Sequence, residues 1–335
     1  MPQPYVVVGS SNPRPAHDQL RAVENRFGFD RGCGDLMAVP LTDWKNEHRE
    51  RPTMRIAVTG ANGKLGAVTV ASLREAGHDV LAFDIAGADR WTFTRVDLTD
   101  YGQVIDALAG VDDRHQGLDA IAHLGAVPAP GLWADSATFH NNMSATFNVF
   151  QAARRLGIRT IAYASSETLL GIPFEAPPPY LPLDEAAETR PESMYSVVKH
   201  LEEELAKKLV RWDDALSITA LRFSNVMVPT DYAEFPTFDA DPTRRSWNLW
   251  SYIDARDAAQ AIRLAIEAAH PGFDVFNIFA ADTVMSRASA ELAAEHLAGV
   301  ELRRPLEGTE SLITSEKAHR LLGFQQQHSW RDHQH

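Results

Sequence analysis

Cysteine is almost missing from this sequence, which has only Cys33 among its 335 residues. A single cysteine excludes a disulfide within the chain and is typical of a reducing cytoplasm, where we expect this protein to reside. Long apolar runs are missing too, since no stretch reaches the roughly 18 apolar residues of a membrane-spanning helix. No signal peptide is recognisable either. We therefore expect no membrane partner.

Positive charge is also in deficit. Lys and Arg number 32 against 45 Asp and Glu, for a formal net charge of −13. This balance argues against nucleic acid or acidic lipid as a partner. What is present is ordinary for a globular chain, with 44% hydrophobic and 23% charged residues. The length leaves room for one large domain, with or without a smaller lobe.

The two ends of the chain differ from its middle. Residues 1–53 are rich in Pro, Arg, Asn and Gly and show no sustained period, so we predict an irregular N-terminal extension. No metal site is predicted anywhere in the chain. Three histidines near the C-terminus are interpreted as part of a frayed end: His328, His333 and His335.

From Met54 onward, strand-like and helix-like segments alternate. The predicted strands are residues 55–59, 80–84, 91–96, 120–124, 160–164 and 217–223. The predicted helices are residues 65–76, 101–108, 138–156 and 195–211. Alternation at this spacing predicts an α/β fold, a doubly wound parallel Rossmann sheet covered by helices on both faces. Ligands of such sheets bind beyond the carboxyl ends of the strands.

A glycine-rich turn joins the first predicted strand to the first predicted helix. Residues 59–66 read TGANGKLG, and backbone N–H groups at the start of a helix suit a pyrophosphate. Asp84 ends the second predicted strand, at the spacing of a carboxylate that accepts from ribose hydroxyls and repels a 2′-phosphate. Residues 85–88 contain no arginine. The pattern therefore favours NAD over NADP.

Tyr195 and Lys199 are four residues apart in a predicted helix and share one face of it. An ammonium beside a phenol favours the phenolate, so we expect the pKa of Tyr195 to be lowered toward the working pH. Such a tyrosine can accept a hydroxyl proton while hydride leaves the same carbon. Ser166 follows a predicted strand and is placed to hold a substrate oxygen beside Tyr195. Alone, these patterns also fit an amphipathic helix and a turn.

These motifs together resemble the extended short-chain dehydrogenase/reductases, the NAD-dependent epimerase/dehydratase family. The resemblance runs from Met54 to about Asp257, and it includes the segment HLGA at residues 123–126 and Asn142 in the third predicted helix. It implies Ser166, Tyr195 and Lys199 as catalytic residues and NAD as the cofactor. It implies contacts to NAD by the following residues: Gly60, Asn62, Gly63, Lys64, Leu65, Gly66, Asp84, Asp97, Leu98, Leu124, Gly125, Ala126, Asn142, Tyr195 and Lys199.

Within the family, several stretches resemble uronate dehydrogenases, which oxidise a free hexuronic acid with NAD. The resemblance implies that Arg245 binds a substrate carboxylate, although Arg244 and Arg245 also fit a solvated loop. The chain departs from that pattern at Pro128 and at Glu167, whose carboxylate suits an anionic substrate poorly. A neutral sugar, a lactone or a polyol therefore stays open. The residues expected to bind substrate are Ser165, Ser166, Glu167, Asn225 and Arg245.

The predicted boundaries are an NAD-binding Rossmann domain over residues 54–225 and a small substrate-binding lobe over residues 226–335, with the chain returning to the core near residues 250–280. The segment 231–248 is short for a nucleotide-binding lobe, which favours a small sugar-like substrate. Its aromatic residues fit either stacking on a sugar ring or packing as a small core. Related enzymes dimerise through helices at positions 138–156 and 195–211, so we expect a homodimer.

The resulting hypothesis is an NAD-dependent oxidoreductase that oxidises a hydroxyl of a sugar or sugar acid. The first alternative is a nucleotide-sugar epimerase or dehydratase that keeps NAD resident and reoxidises it in each turnover. The second is a dinucleotide-sensing protein without catalysis, which would not need all three of Ser166, Tyr195 and Lys199.

Overall fold

The computed structural model describes residues 53–88, 92–110, 115–174 and 176–333. The extension predicted for residues 1–53 lies outside the described residues apart from Thr53, as does Cys33. The strands are β1 (Arg55–Thr59), β2 (Asp79–Asp84), β3 (Thr94–Arg95), β4 (Ala120–His123), β5 (Thr160–Ser166), β6 (Tyr180–Leu181), β7 (Ser217–Phe223), β8 (Val226–Met227), β9 (Ile253–Asp254), β10 (Gly272–Ile278) and β11 (Glu301–Leu302).

Helices cover both faces of the sheet and build the lobe. The α-helices are α1 (Lys64–Glu75), α2 (Tyr101–Ala109), α3 (Asp135–Leu156), α4 (Met194–Trp212), α5 (Phe235–Ala240), α6 (Thr243–Ser246), α7 (Ala255–Glu267), α8 (Ser289–His296) and α9 (Glu316–Leu322). Short 3₁₀ turns cover Glu167–Leu170, Pro229–Glu234 and Trp330–His333. Among the described helices, none is long and apolar enough to cross a membrane. The cytoplasmic location stays a prediction.

The central sheet has seven strands in the order β10-β7-β5-β4-β1-β2-β3. Every pairing between its neighbours is parallel. The chain winds from β1 outward through β2 and β3, then crosses back to β4 and continues the other way, so the sheet is doubly wound with its switch point between β1 and β4. The predicted Rossmann fold is confirmed, and this switch point brings the ends of β1 and β4 together.

Most predicted elements lie where the period placed them, with two differences. The third strand is only Thr94–Arg95, and residue 91 of the predicted strand lies outside the described part of the chain. A helix and a strand that the sequence did not predict, α7 and β10, complete the sheet's edge and one of its covering layers. Asp254 caps α7 by accepting from the Arg256 backbone N–H at 2.8 Å.

A separate apolar cluster forms a lobe beyond the strand ends, and it draws on residues 170–187 as well as on residues after 226. The domain boundary at residue 225 therefore stays a prediction. Within this cluster Tyr232, Phe235 and Phe238 are buried against each other and against Trp330. Of the two interpretations left open, packing as a small core is the one the structure shows for these three residues, whereas Trp247 of the same segment is 37% exposed.

The expectation of a frayed C-terminus is wrong up to residue 333. Trp330 is buried, and its indole N–H donates to the Thr283 carbonyl at 2.9 Å. His328 lies 2.9 Å from the Asp257 carboxylate at the start of α7. The ring of His333 packs on Tyr232 at 5.3 Å between centres. The buried Trp330 packs this end of the chain on the lobe. His335 lies outside the described residues.

Candidate active site

The turn after β1 approaches neighbouring backbone so closely that side chains would not fit. Gly60 has φ +67, and a Cβ on it would lie 2.7 Å from the Gly125 nitrogen. A Cβ on Gly66 would lie 2.0 Å from the Gly60 carbonyl oxygen. Helix α1 starts in this turn, and its N-cap, Gly63, supplies no side-chain hydrogen bond to the first turn. Its free backbone N–H groups and the helix dipole suit an anion.

Asp84 is fixed beside this turn at the end of β2. One carboxylate oxygen accepts from the Asn62 backbone N–H at 2.8 Å. The other accepts from the N–H groups of Ile85 and Ala86 at 2.7 and 3.3 Å. Each oxygen has two lone pairs, so the carboxylate can still accept a ligand hydroxyl. Its position beside the glycine turn is the one expected for a ribose ligand.

The ends of β3 and β4 form the next part of the edge. Leu98 lies against the segment after β4, since a Cβ on Gly125 would be 2.5 Å from the Leu98 Cδ1. One oxygen of Asp97 accepts from the backbone and the hydroxyl of Thr99 at 2.9 and 2.7 Å, which forms a local turn. Leu124, Gly125 and Ala126 are half-buried at this edge. An adenine contact by Asp97 and Leu98 stays a prediction.

Two predicted cofactor residues are bonded to protein groups. Asn142 is fully buried, and its amide exchanges two hydrogen bonds with the backbone of Val127 at 2.8 and 3.0 Å. It therefore fixes the loop after β4. The ammonium of Lys64 contacts the Asp231 carboxylate at 2.8 Å, on a partly exposed surface. Contacts of these two side chains, and of the half-buried Leu65, to a cofactor stay predictions.

Ser166 and Tyr195 meet where β5 ends and α4 begins. The oxygen of Ser166 accepts from the backbone and hydroxyl of Thr168 at 3.2 and 3.0 Å. Its own O–H is left to donate, and Ser166 is near enough to Tyr195 to act on the pKa of that phenol in the lowering direction. A capping box between Ser193 and Ser196 starts α4 one residue before Tyr195.

The expectation that the pKa of Tyr195 is lowered is wrong for the protein's own groups. Burial raises the pKa of the Tyr195 phenol, because a buried phenolate loses its hydration. The charge of Lys199 and the Ser166 hydroxyl act in the lowering direction but do not outweigh burial. The motif shows the nearby ammonium, but it does not show the desolvation of the phenol, which depends on packing.

Lys199 is buried on the same helix face, 5.9 Å from the centre of the Tyr195 ring. Its ammonium donates to the Ala164 carbonyl at 2.8 Å and to the Glu202 carboxylate at 2.9 Å. These bonds use two of its three N–H groups. Burial disfavours the ammonium, but Glu202, Tyr195 and Glu203 together outweigh burial and raise the pKa of Lys199. The side chain is therefore held as a cation.

The prediction that Ser165 binds substrate is corrected by the structure. Its hydroxyl donates to Glu203 at 2.8 Å in the interior. Arg222 holds the same carboxylate through two hydrogen bonds at 2.9 and 2.8 Å. Successive residues of a strand point to opposite faces of the sheet, so Ser165 lies on the face opposite Ser166.

A group that we call the Glu167 cluster lies directly after Ser166; it consists of Glu167, Ser224, Arg245, Asn248 and Ser251. One oxygen of Glu167 accepts from the hydroxyls of Ser224 and Ser251 at 2.7 and 3.1 Å. The other contacts the Asn248 amide at 3.5 Å. Burial raises the pKa of Glu167 to about 7, against the opposing effects of Ser224, Arg245, Asn248 and Ser251.

The two arginines of the lobe differ. Arg244 is exposed and donates to Thr237 at 2.8 Å, so it fits a solvated loop. Arg245 is 6% exposed and donates to the Ser251 carbonyl at 2.8 Å. Among the described residues, its Nε and the Asn248 Oδ1 are buried without a hydrogen-bond partner. A buried donor and a buried acceptor that both lack a partner, in one cluster, suit a polar ligand group.

The sequence analysis missed three members of this cluster, Ser224, Asn248 and Ser251. Ser224 directly follows β7 at the carboxyl end of the parallel sheet, which is the signal that identifies an edge site, whereas Asn248 and Ser251 lie between α6 and β9 and carry no such signal. The predicted Asn225 lies between β7 and β8 and is half-buried, and its carbonyl accepts from the Ile253 N–H at 3.2 Å. No group of three or more metal-binding side chains occurs within the described ranges.

Comparison with known proteins decides the family. The sequence model of the NAD-dependent epimerase/dehydratase family matches residues 56–278. The chain belongs to this family. The resemblance inferred from the motifs is thereby confirmed, and so is NAD as the cofactor of the family. The glycine turn, the free N–H groups of α1 and the anchored Asp84 fit a dinucleotide.

Relatives in the NAD-dependent epimerase/dehydratase family include both epimerases and dehydrogenases. A UDP-glucose 4-epimerase from Drosophila melanogaster is 28% identical over 221 residues, 59% of each chain. This chain thus spans about three fifths of that epimerase's length. A uronate dehydrogenase from Pseudomonas syringae pv. tomato is 30% identical over 160 residues, 47% of this chain and 54% of that one.

A solved structure has the same fold. It is a short-chain dehydrogenase/reductase superfamily protein from Agrobacterium tumefaciens with bound NAD, and it matches with a TM-score of 0.62. The match covers 83% of this chain and 94% of that chain, at 24% sequence identity. The members named here are enzymes or carry a bound cofactor, and the identities leave the reaction of this chain open.

Proposed function

We propose that this protein is an NAD-dependent oxidoreductase that oxidises a hydroxyl of a small sugar or sugar acid. The observation that carries the proposal is the burial of Ser166, Tyr195 and Lys199 where β5 ends and α4 begins, with the Lys199 ammonium 5.9 Å from the centre of the Tyr195 ring. A sensor without catalysis gains nothing from burying an ammonium and a phenol together, because burial of both groups costs free energy.

The three side chains have separate roles in this proposal. Tyr195 accepts the proton of the substrate hydroxyl, Ser166 orients that oxygen, and Lys199 supplies a fixed positive charge that favours the phenolate. NAD, held by the glycine turn and Asp84, supplies the hydride acceptor and a positive charge. Burial raises the pKa of Tyr195. The phenolate therefore depends on the charge of Lys199 and on the positive charge that NAD would supply.

The lobe favours a small substrate. The segment after β8 consists of a 3₁₀ turn and two helices of six and four residues. Three of its aromatic side chains, those of Tyr232, Phe235 and Phe238, are part of the lobe's own core. The Glu167 cluster offers a carboxyl, amide and hydroxyl groups and one guanidinium, which suits a substrate with several hydroxyls. Arg245 can also hold a carboxylate, as the likeness to uronate dehydrogenase suggests.

A second candidate is an epimerase or dehydratase that acts on a nucleotide sugar with resident NAD. The observation in its favour is Glu167, whose pKa of about 7 leaves it able to donate or accept a proton directly after Ser166. The similarity to UDP-glucose 4-epimerase agrees with it.

Release of NADH separates the two candidates. The purified protein is incubated with excess NAD and, in turn, neutral free sugars, uronates and nucleotide sugars. We expect a free sugar or uronate to produce many NADH molecules per protein chain. Interconversion of a nucleotide sugar without net NADH would instead establish the second candidate.

We also propose a homodimer formed through α3 and α4. Each helix exposes a large apolar side chain: Phe147 on α3 is 49% exposed and Leu201 on α4 is 38% exposed. Exposed apolar groups on two neighbouring long helices suit a helix-to-helix interface.

A further inference from the structure

A buried chain of hydrogen bonds connects the glycine turn to the catalytic lysine. Thr59, the last residue of β1, lies 2.8 Å from the His123 Nδ1. The His123 Nε2 lies 3.1 Å from the Thr146 hydroxyl on α3, and Thr146 donates to Glu202 on α4 at 2.9 Å. Lys199 donates to the other oxygen of Glu202. These five side chains are all at least nine-tenths buried.

The donors and acceptors of this hydrogen-bond network allow only one set of proton positions. The Thr59 oxygen accepts from the backbone N–H groups of Leu124 and Gly125 at 3.2 Å each, so its own O–H donates to the His123 Nδ1. His123 must then be neutral and donate from Nε2 to Thr146, whose O–H in turn donates to Glu202. Burial, and then the charge of Lys199, lowers the pKa of His123 to about 3, in agreement with a neutral ring.

Both oxygens of Glu202 therefore face donors, and Lys199 and Thr146 favour the carboxylate against the burial that raises the pKa of Glu202. Glu202 is fully buried and stands three residues after Lys199, where the two side chains meet on one helix face. No role for Glu202 follows from the Ser166, Tyr195 and Lys199 arrangement alone.

We infer that Glu202 is a positioning residue, which fixes the Lys199 ammonium against the glycine turn and sets the pH at which Tyr195 gives up its proton. The inference rests on the proposed hydroxyl oxidation. Through Thr146 and His123, the carboxylate ties α4 to the ends of β4 and β1, so the catalytic cation and the cofactor turn share one rigid network. Its charge also opposes the effect of Lys199 on Tyr195.

Other charged groups near Tyr195 are already balanced or lie in a different cluster. Glu203 on α4 is paired with Arg222 on β7 by two hydrogen bonds. Glu167, in the turn after β5, raises the pKa of Tyr195 less than Glu202 does. His123 on β4 is neutral. Glu202 is thus the carboxylate whose removal changes the balance at Tyr195 most.

The test replaces Glu202 with Gln, which keeps the shape and removes the charge. We expect the acidic limb of the pH profile of kcat/KM to move to lower pH, because the phenolate no longer faces this negative charge. Well below the wild-type limb, kcat/KM relative to its plateau should rise roughly tenfold, the effect of about one pKa unit. The plateau itself should fall, because Lys199 loses its fixed partner.

The matched control is Glu204→Gln, the same change on the exposed face of the same helix, where Glu204 pairs with Lys207 at 2.8 Å. It should leave the limb in place. An unmoved limb in E202Q, or an equal movement in E204Q, overturns the inference. Glu202→Asp keeps the charge and withdraws it by one methylene, so we expect a lower plateau at an unmoved limb. If E202Q does not fold, the Glu202→Asp variant is used for the test instead. An unchanged kcat/KM plateau in this variant contradicts the positioning role.

A titration that needs no turnover separates this inference from the proposed function. Ultraviolet absorbance reports tyrosinate, and subtracting the Tyr195→Phe variant isolates Tyr195 from the other tyrosines. The difference should titrate at lower pH in the E202Q background than in the wild-type background. Equal titration in both overturns the inference. Failure of the wild type to make NADH, with the shift present, refutes the proposed function alone.

Discussion

Glu167 shows how burial acts on a single carboxyl group beside Ser166. Its pKa is raised from 4.5 to about 7 although four neighbours favour the charged form. A carboxyl whose pKa is higher in the folded protein binds its proton more tightly there than in the unfolded chain. Between these two values folding takes up protons, so the free energy of unfolding falls as pH rises through this window.

Replacing Glu167 with Gln should remove this part of the pH dependence. From about pH 4.5 to pH 7, the wild type should lose roughly 3 kcal/mol of unfolding free energy that the variant does not lose. Urea unfolding at a series of pH values measures the difference. Glu188→Gln, on the surface, should follow the wild type. Identical slopes for the wild type and E167Q would show that Glu167 is not desolvated as described.

Side chains close in sequence were predictable at the residue scale, and those brought together by the fold were not. Ser166, Tyr195 and Lys199 were found because each sits in a local motif. The Glu167 cluster joins residues 167, 224 and 245–251, which no local pattern connects. The direction of the Tyr195 pKa shift was wrong because desolvation depends on packing that the motif does not contain.

At the scale of elements, the start of α1 depends on the close approach of two glycines. Gly66→Ala would place a Cβ 2.0 Å from a backbone carbonyl, which no side-chain rotation relieves. We expect a loss of roughly 1–3 kcal/mol in stability and weaker NAD binding, because the turn must open. Thermal unfolding and NAD titration measure the two effects.

The control for this element is Gly102→Ala, in the first turn of α2. Its Cβ would lie 3.2 Å from a side-chain oxygen of Asp100, a contact that can adjust. Since alanine favours a helix over glycine by about 0.5–1 kcal/mol, this variant should be neutral or slightly more stable. If G66A matches G102A in both measurements, the turn is not constrained as described.

The hydrophobic pattern made the strands and helices of the central sheet predictable as far as β7, whereas β6 and the elements after β7 were not predicted. Strands β1, β4, β5 and β7 are buried on both faces and read as continuous apolar runs. Strand β10 lies at the sheet edge, and its first four residues are only half-buried, so its sequence carries polar residues and a weaker signal. Helix α7 has a clear apolar face, and the sequence analysis placed only a return of the chain there.

At the scale of the whole molecule, the homodimer is testable on the exposed faces of α3 and α4. The double variant Phe147→Glu, Leu201→Glu places two charges on the proposed interface and should yield monomers. Size-exclusion chromatography with light scattering gives the mass. Leu302→Glu, which charges an equally exposed leucine on β11 of the lobe, should remain dimeric. A wild type that is monomeric, or a double variant that is not, contradicts the interface.

Whole-protein turnover tests the central claim, that Tyr195 takes a proton from a substrate hydroxyl while NAD is reduced. The most direct measurement is NADH accumulation from NAD and a panel of free sugars and uronates, by the wild type and by Tyr195→Phe, with NAD affinity measured for both. We predict many turnovers for the wild type, none above background for Y195F, and similar NAD affinity. Equal NADH production by both proteins, or none by the wild type with any free sugar or uronate, would contradict the account.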